Sequence, residues 1–259
     1  MKKTSDSDRE EYRSFCKLAS ADENTFKSFK GGSSTYNGVL EHVNEDQGKQ
    51  YLNELGSLSL DEMNAIKKND KFGSPKKYFY DELGFEASPS SLRYIHVHRQ
   101  MKDIFGSFDG KVIAEIGGGY GGQALIFSEL SNIKSYSIFD LPETLALTEK
   151  YLRKNRTGIK KFNFYSCFDV PENKNFDILI SNYALSECTK DMQNCYLDRV
   201  VNKSKEFYMI FNFSSPHAHS LEQLQPLIQE KFAATPEIPQ TSPRGTNILL
   251  VKRNKNLTI

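Results

Sequence analysis

The stretch Val112–Ile113–Ala114–Glu115–Ile116–Gly117–Gly118–Gly119–Tyr120–Gly121–Gly122 constrains the fold more than any other part of the chain. It reads as a β-branched strand ending in an acid, then a glycine-packed turn, then a helix opening at Gln123 and running through Ala124, Leu125, Ile126 and Leu130. Glycines at this spacing let the backbone turn tightly and approach a ligand with no Cβ in the way. The free N–H groups of the following helix present positive partial charge. Such a turn suits a nucleotide-like cofactor.

From Lys111 onward the pattern alternates between strands and helices. Strands are expected over Lys111–Ile116, Lys134–Phe139, Lys161–Ser166, Phe176–Ser181, Phe207–Phe213 and Asn247–Lys252, with a weaker one around Ala233–Ile238. Leu141–Arg153 reads as a helix, with Pro142 at its start and Glu143 in its first turn. Alternation of this kind implies a parallel, doubly wound sheet, whose ligands bind at the carboxyl ends of the strands. The end of the chain departs from it. Pro236, Pro239 and Pro243 before the last strand read as a hairpin and not a crossover.

Residues 1–108 show no convincing strand and several short helical patterns, which makes them a helical N-terminal region or lid on a ligand-binding domain at 109–259. Glu10–Ala19, Tyr51–Leu55 before Gly56, and Leu60–Ile66 have helical spacing, and Gly31-Gly32-Ser33-Ser34 ends another segment. The aromatic, glycine-punctuated run Lys71–Phe85 suits a loop or lid. The clearest helix here starts with Ser88 as cap and Pro89 in the first position. It carries Tyr94, Val97, Met101 and Ile104 on one stripe and stops at Gly106. This region could also dimerise.

Charge is nearly balanced, with 34 Lys+Arg against 33 Asp+Glu, so no global field favours nucleic acid or a membrane surface. Cys16, Cys167, Cys188 and Cys195 follow no zinc or redox spacing and are expected to be free thiols. The lysines at the start are not followed by an apolar core, and no apolar run approaches the roughly 18 residues of a membrane span. A cytoplasmic location is expected.

The glycine turn alone is ambiguous. Gly117-x-Gly119-x-x-Gly122 satisfies the dinucleotide fingerprint of NAD(P)-dependent oxidoreductases, and Glu115-x-Gly117-x-Gly119-x-Gly121 satisfies the turn of enzymes that use S-adenosylmethionine. Asp140 serves ribose hydroxyls in either case. Glu115 separates the two, since a carboxylate there would repel a pyrophosphate and attract the ammonium of S-adenosylmethionine. The closing hairpin points the same way.

The runs Ser88–Tyr94, Lys111–Gln123, Phe139-Asp140-Leu141-Pro142 and Ser181–Glu187 together resemble the sugar O-methyltransferases that accompany bacterial surface-polysaccharide and glycan genes, members of the class I S-adenosylmethionine-dependent superfamily. The resemblance spans roughly 88–252. It implies a Rossmann-like α/β fold with a seven-stranded, mostly parallel sheet, a terminal antiparallel hairpin and a helical N-terminal region. It also implies S-adenosylmethionine as cofactor and a sugar hydroxyl of a nucleotide-sugar or glycan precursor as acceptor.

Carried over by position, the resemblance gives Glu115 and the Gly117, Gly119 and Gly121 backbone to the methionine end of the cofactor, and Asp140 to the ribose. Leu141 would pack on the adenine, and Ser166, Cys167 and Phe168 would face its edge, with Asp169 as a nearby substitute where relatives carry an acid. Asp140 could serve as a helix N-cap as well, since one carboxylate can accept both bonds. Asn182 begins the stretch of the methionine contact. Where plant O-methyltransferases carry a His-Asp pair, this chain has Ser186-Glu187, and where they carry a further acid it has Asn212. Three residues are candidate bases: Glu187, if its surroundings raise its pKa, and the loop histidines His217 and His219. No carboxylate cluster at ligand spacing accompanies the histidines, so no metal is expected. His96 and His98, two apart on a helix, point to different faces and make no joint site, whereas Arg93 and Tyr94 could line the pocket from the N-terminal region. A non-catalytic cofactor-binding module is the other reading left open, supported by the missing plant-type histidine.

Overall fold

A computed structural model describes residues 3–31, 36, 38, 43–242 and 244–253; the readings placed on Gly32-Ser33-Ser34 and on Pro243 lie outside the described residues. The N-terminal helices follow their caps. α1 (Glu10–Ala21) buries Tyr12, Cys16 and Ala19, an i, i+4, i+7 stripe. Asp22 caps α2 (Glu23–Ser28) by accepting from the Thr25 N–H. Full capping boxes, Asn44 with Gln47 and Ser59 with Glu62, open α3 (Glu45–Leu55) and α4 (Leu60–Asn69).

The loop expected at 71–85 is corrected by a small hairpin. β1 (Tyr78–Tyr80) and β2 (Phe85–Ala87) pair antiparallel, with Tyr78 opposite Ala87. Three residues are too few for alternation to show in a sequence, but aromatic side chains favour the pleat and Gly84, at φ +68°, closes the turn. α5 (Pro89–Phe105) starts as the sequence dictates, with the Ser88 side chain accepting from the Ser91 N–H, Pro89 first and Gly106 as its end.

The β-branched and aromatic runs then alternate with helices: β3 (Val112–Ile116), α6 (Gly122–Leu130), β4 (Ser135–Asp140), α7 (Pro142–Lys154), β5 (Phe162–Ser166), β6 (Phe176–Asn182), α8 (Ala184–Glu187), α9 (Lys190–Tyr196), β7 (Ser204–Asn212), α10 (Leu221–Leu227), β8 (Ala233–Pro236) and β9 (Asn247–Lys252). The seven strands β3 to β9 form one sheet in the order β5-β4-β3-β6-β7-β9-β8. β3 to β7 are mutually parallel, and β9 pairs antiparallel with both β7 and β8. The order reverses beside β3, so β3, β4 and β6 open their carboxyl ends onto one crevice, where ligands of such sheets sit.

The helices of the N-terminal region are part of this body. α1 lies on α7, α3 on α5 and α4 on α6, and one cluster of buried apolar residues runs from Tyr12 and Phe29 through Tyr120 and Tyr151 to Phe139 and Ile180. No helix of the described residues is long and apolar enough to cross a membrane.

Candidate functional site

At the carboxyl ends of β3, β4 and β6 a cavity is lined by Glu115, Gly117, Gly118, Gly119, Asp140, Leu141, Cys167, Asn182 and Glu187. The glycine turn builds its floor. Gly117, Gly119 and Gly121 have φ of +77°, +54° and +90°, a region that costs an L side chain about 1–2 kcal/mol. Close approach adds to this at Gly117, where a Cβ would lie 2.1 Å from the Ala184 Cβ. Strand β3 thereby passes directly under α8, the helix that carries Glu187.

Three acids converge on this cavity, and each is held nearer to neutrality than in water. Glu115 is buried and its Oε2 accepts from the Tyr136 hydroxyl at 3.0 Å; burial pushes its pKa up to about 8, with the charge of Asp140 adding to the rise. Asp140 accepts from the Gly119 N–H at 2.9 Å and the Leu141 N–H at 2.7 Å, and its enclosure pushes it up to about 6 against those two bonds. Its carboxylate thus pins the glycine turn instead of capping α7, whose N-cap residue, Leu141, makes no side-chain cap. Glu187 is pushed up to about 7 by burial and then by the charge of Asp6, while the Asn212 side chain holds it down.

The remaining expected residues divide. Of Ser166, Cys167 and Phe168, only Cys167 is on the wall. The Ser166 hydroxyl accepts from the Phe168 N–H at 3.2 Å, and Phe168 is exposed, as is Asp169. Asn182 ends β6 on the wall with its Oδ1 buried and without a hydrogen-bond partner among the described residues. His217 and His219 are off the wall. His217 Nε2 lies 3.3 Å from Asp6 Oδ1, and His219 Nδ1 lies 3.1 Å from Lys190 Nζ. Ser186 is a fastener: its hydroxyl donates to the Tyr183 carbonyl at 2.6 Å and accepts from the Asn212 N–H at 2.9 Å, tying α8 to β7. His96 packs tilted against Tyr51 while His98 packs on Phe127 with Nε2 3.1 Å from the Ser131 hydroxyl, two separate buried places. All four cysteines are free.

No protein-family model matches the chain, and no curated protein matches it. Solved structures do. Protein 1320 of Thermoplasma acidophilum is similar at a TM-score of 0.50 and 14% identity, over 77% of this chain and 100% of its own. An S-adenosylmethionine-dependent methyltransferase from Clostridium acetobutylicum has a TM-score of 0.47 at 13% identity, over 62% of this chain and 90% of its own. An O-methyltransferase family protein from Burkholderia thailandensis has 0.45 at 13%, over 89% and 76%. At 14% identity the likeness to the Thermoplasma protein is one of fold. Counted along the chain, the strands of the large sheet run 3-2-1-4-5-7-6 with the seventh antiparallel, whereas the dinucleotide-binding sheet runs 3-2-1-4-5-6. The fold is the class I methyltransferase fold.

Around this crevice stand residues that the sequence did not single out. Thr4, Ser5 and Ser7 line it as part of an N-terminal strap: the Thr189 N–H donates to the Thr4 carbonyl at 2.8 Å, the Asp6 N–H donates to the Glu187 carbonyl at 2.9 Å, and Ser5 bridges to Cys188. Tyr183, at φ +67°, turns its ring onto the wall, where its hydroxyl meets Glu237 and lies 3.1 Å from the Thr241 hydroxyl. Thr241 and Ser242 follow from the loop between β8 and β9, and Asn247 from the start of β9. Only Arg93 and Tyr94, also on the wall, had a sequence signal, their place one turn into a well-capped helix.

Proposed function

We propose that the chain is an S-adenosylmethionine-dependent O-methyltransferase acting on a sugar hydroxyl of a nucleotide-sugar or glycan precursor. The observation that carries the reading is the convergence of Glu115, the Gly117–Gly119 turn, Asp140 and Glu187 on one cavity at the switch point of the sheet. The residues present fit the cofactor. The glycine turn leaves room for close approach, Asp140 can accept from ribose hydroxyls, Leu141 and Cys167 offer apolar surface to the adenine, and the unpartnered Asn182 Oδ1 awaits a donor such as the ammonium. When bound, S-adenosylmethionine would supply an electrophilic sulfonium methyl.

In this reading Glu187 takes the acceptor's proton. A pKa near 7 leaves its carboxylate available at working pH and basic enough to help, while an unactivated sugar hydroxyl is a poor nucleophile. Asn212, on the same wall, hydrogen-bonds its carboxylate and orients it. The hydroxyl-rich rim of Ser214, Thr241, Ser242 and Asn247, whose Oδ1 is also buried without a partner, supports a polyhydroxyl acceptor. Most of the acceleration would come from holding acceptor oxygen, methyl carbon and sulfur in line.

Calorimetric titration with S-adenosylmethionine and S-adenosylhomocysteine tests the cofactor, and transfer of labelled methyl to pooled sugar nucleotides and glycans tests the reaction. Saturable binding lost in Gly119→Arg is expected. No binding at millimolar ligand, or NADH fluorescence titrating in its place, would defeat the reading.

A further inference from the structure

Arg93, in the second turn of α5, lines the cavity from an element that contributes nothing to the glycine turn. It is 5% exposed, and its Nε and Nη1 have no hydrogen-bond partner among the described residues. Its neighbours are tyrosines: the guanidinium carbon lies 5.3 Å from the Tyr94 centroid and 5.7 Å from the Tyr183 centroid, and a side-chain hydrogen bond to Tyr94 holds one part of it. A guanidinium keeps its charge at any working pH, and taking it out of water without a counter-ion costs several kcal/mol. Two aromatic faces return only part of that cost. A burial so incompletely compensated is expected where the missing partner is an anion supplied by a ligand.

We infer that Arg93 is the cavity's receptor for a carboxylate of a bound ligand. The guanidinium is a planar set of donors that matches the two oxygens of a carboxylate, and the flanking phenol rings hold its plane. Two ligands could bring that group. One is the cofactor of the reading above, whose carboxylate and ammonium share a carbon and therefore need a cation and an anion close together; Glu115 on the same wall becomes the anion as the ammonium displaces its proton. The other is an acceptor that is itself a sugar acid.

Calorimetry on the full chain and on Arg93→Met separates these sources, using S-adenosylhomocysteine and 5′-methylthioadenosine, which lacks the amino-acid end. If the cofactor brings the carboxylate, Arg93→Met binds S-adenosylhomocysteine tenfold or more weakly, Arg93→Lys recovers part of the loss, and 5′-methylthioadenosine binds all three alike, which also reports that the variants are folded. If the acceptor brings it, both thioethers bind unchanged, and saturation-transfer NMR shows a glucuronate signal on the wild type that is absent for glucose and lost in Arg93→Met. Unchanged thioether binding with no Arg93-dependent glucuronate signal overturns the inference. A wild type that binds neither thioether defeats the cofactor reading instead, and the glucuronate measurement, run without nucleoside, then decides the inference alone.

Discussion

Gly117 combines a φ of +77° with a Cβ position 2.1 Å from the Ala184 Cβ, so Gly117→Ala must both strain the turn and push α8 away. The strain and the overpacking together are worth about 2–5 kcal/mol. A fall of several degrees in melting temperature and a loss of S-adenosylhomocysteine binding are expected, and adding Ala184→Gly should restore part of the stability by removing the clash while leaving the strained φ. Unchanged melting in the single variant would mean that the turn yields to a Cβ. Glu187→Gln belongs to the same scale. If Glu187 is the base, the amide lowers kcat by about 10²–10⁴ with cofactor binding intact. Because Glu187 must be ionised to accept a proton and is pushed up to about 7, wild-type activity should rise with pH between 6 and 8 and then level, a rise absent from the variant. Activity falling over that range would point away from this carboxylate.

The N-terminal strap is a polar segment of irregular structure, and its effect on the site is electrostatic. The charge of Asp6, held in place by the bond from its N–H to the Glu187 carbonyl, raises the pKa of Glu187. Asp6→Asn should therefore move the rise in activity toward lower pH without altering its height; a profile that stays put or moves upward would show that the strap does not touch the titrating group. Nothing in Thr4-Ser5-Asp6-Ser7 announces this. The residues are polar, carry no period, and find their partners near residue 188. The strands of the large sheet, by contrast, were legible, since buried parallel strands are written as continuous β-branched and aromatic runs between turn residues. The same held for Glu115, Asp140 and Glu187, whose places follow from strand ends. His217 and His219 illustrate the limit: a loop's sequence places it after β7 but does not say which way its side chains turn, and here they turn to Asp6 and Lys190. Tyr183 illustrates another, because a positive φ at a tyrosine is imposed by packing around it and has no local signature.

Across the whole molecule, the cavity leaves a mark on stability. Glu115, Asp140 and Glu187 are raised above their ordinary values, to about 8, 6 and 7, so the folded chain holds protons that the unfolded chain has released. Their stabilising contribution is complete below pH 4 and is lost as pH climbs through those three values. His96 and His98, each pushed down to about 4 by burial, act in the opposite sense, but only below the ordinary histidine value near 6.5. Between pH 6.5 and 8.0 the carboxyls act alone among these groups, and the ligand-free protein should lose on the order of 2–3 kcal/mol, roughly 5–10 °C in melting temperature. If the cofactor's ammonium settles beside Glu115, it favours the ionised carboxyl and drives a proton out. S-adenosylhomocysteine should then bind at pH 7 with proton release, read as a binding enthalpy that changes with the ionisation enthalpy of the buffer, and Glu115→Gln should lose that dependence. A melting temperature that is flat or rises across this window, or an enthalpy indifferent to buffer, would show that the acids at this cavity are already ionised before any ligand arrives.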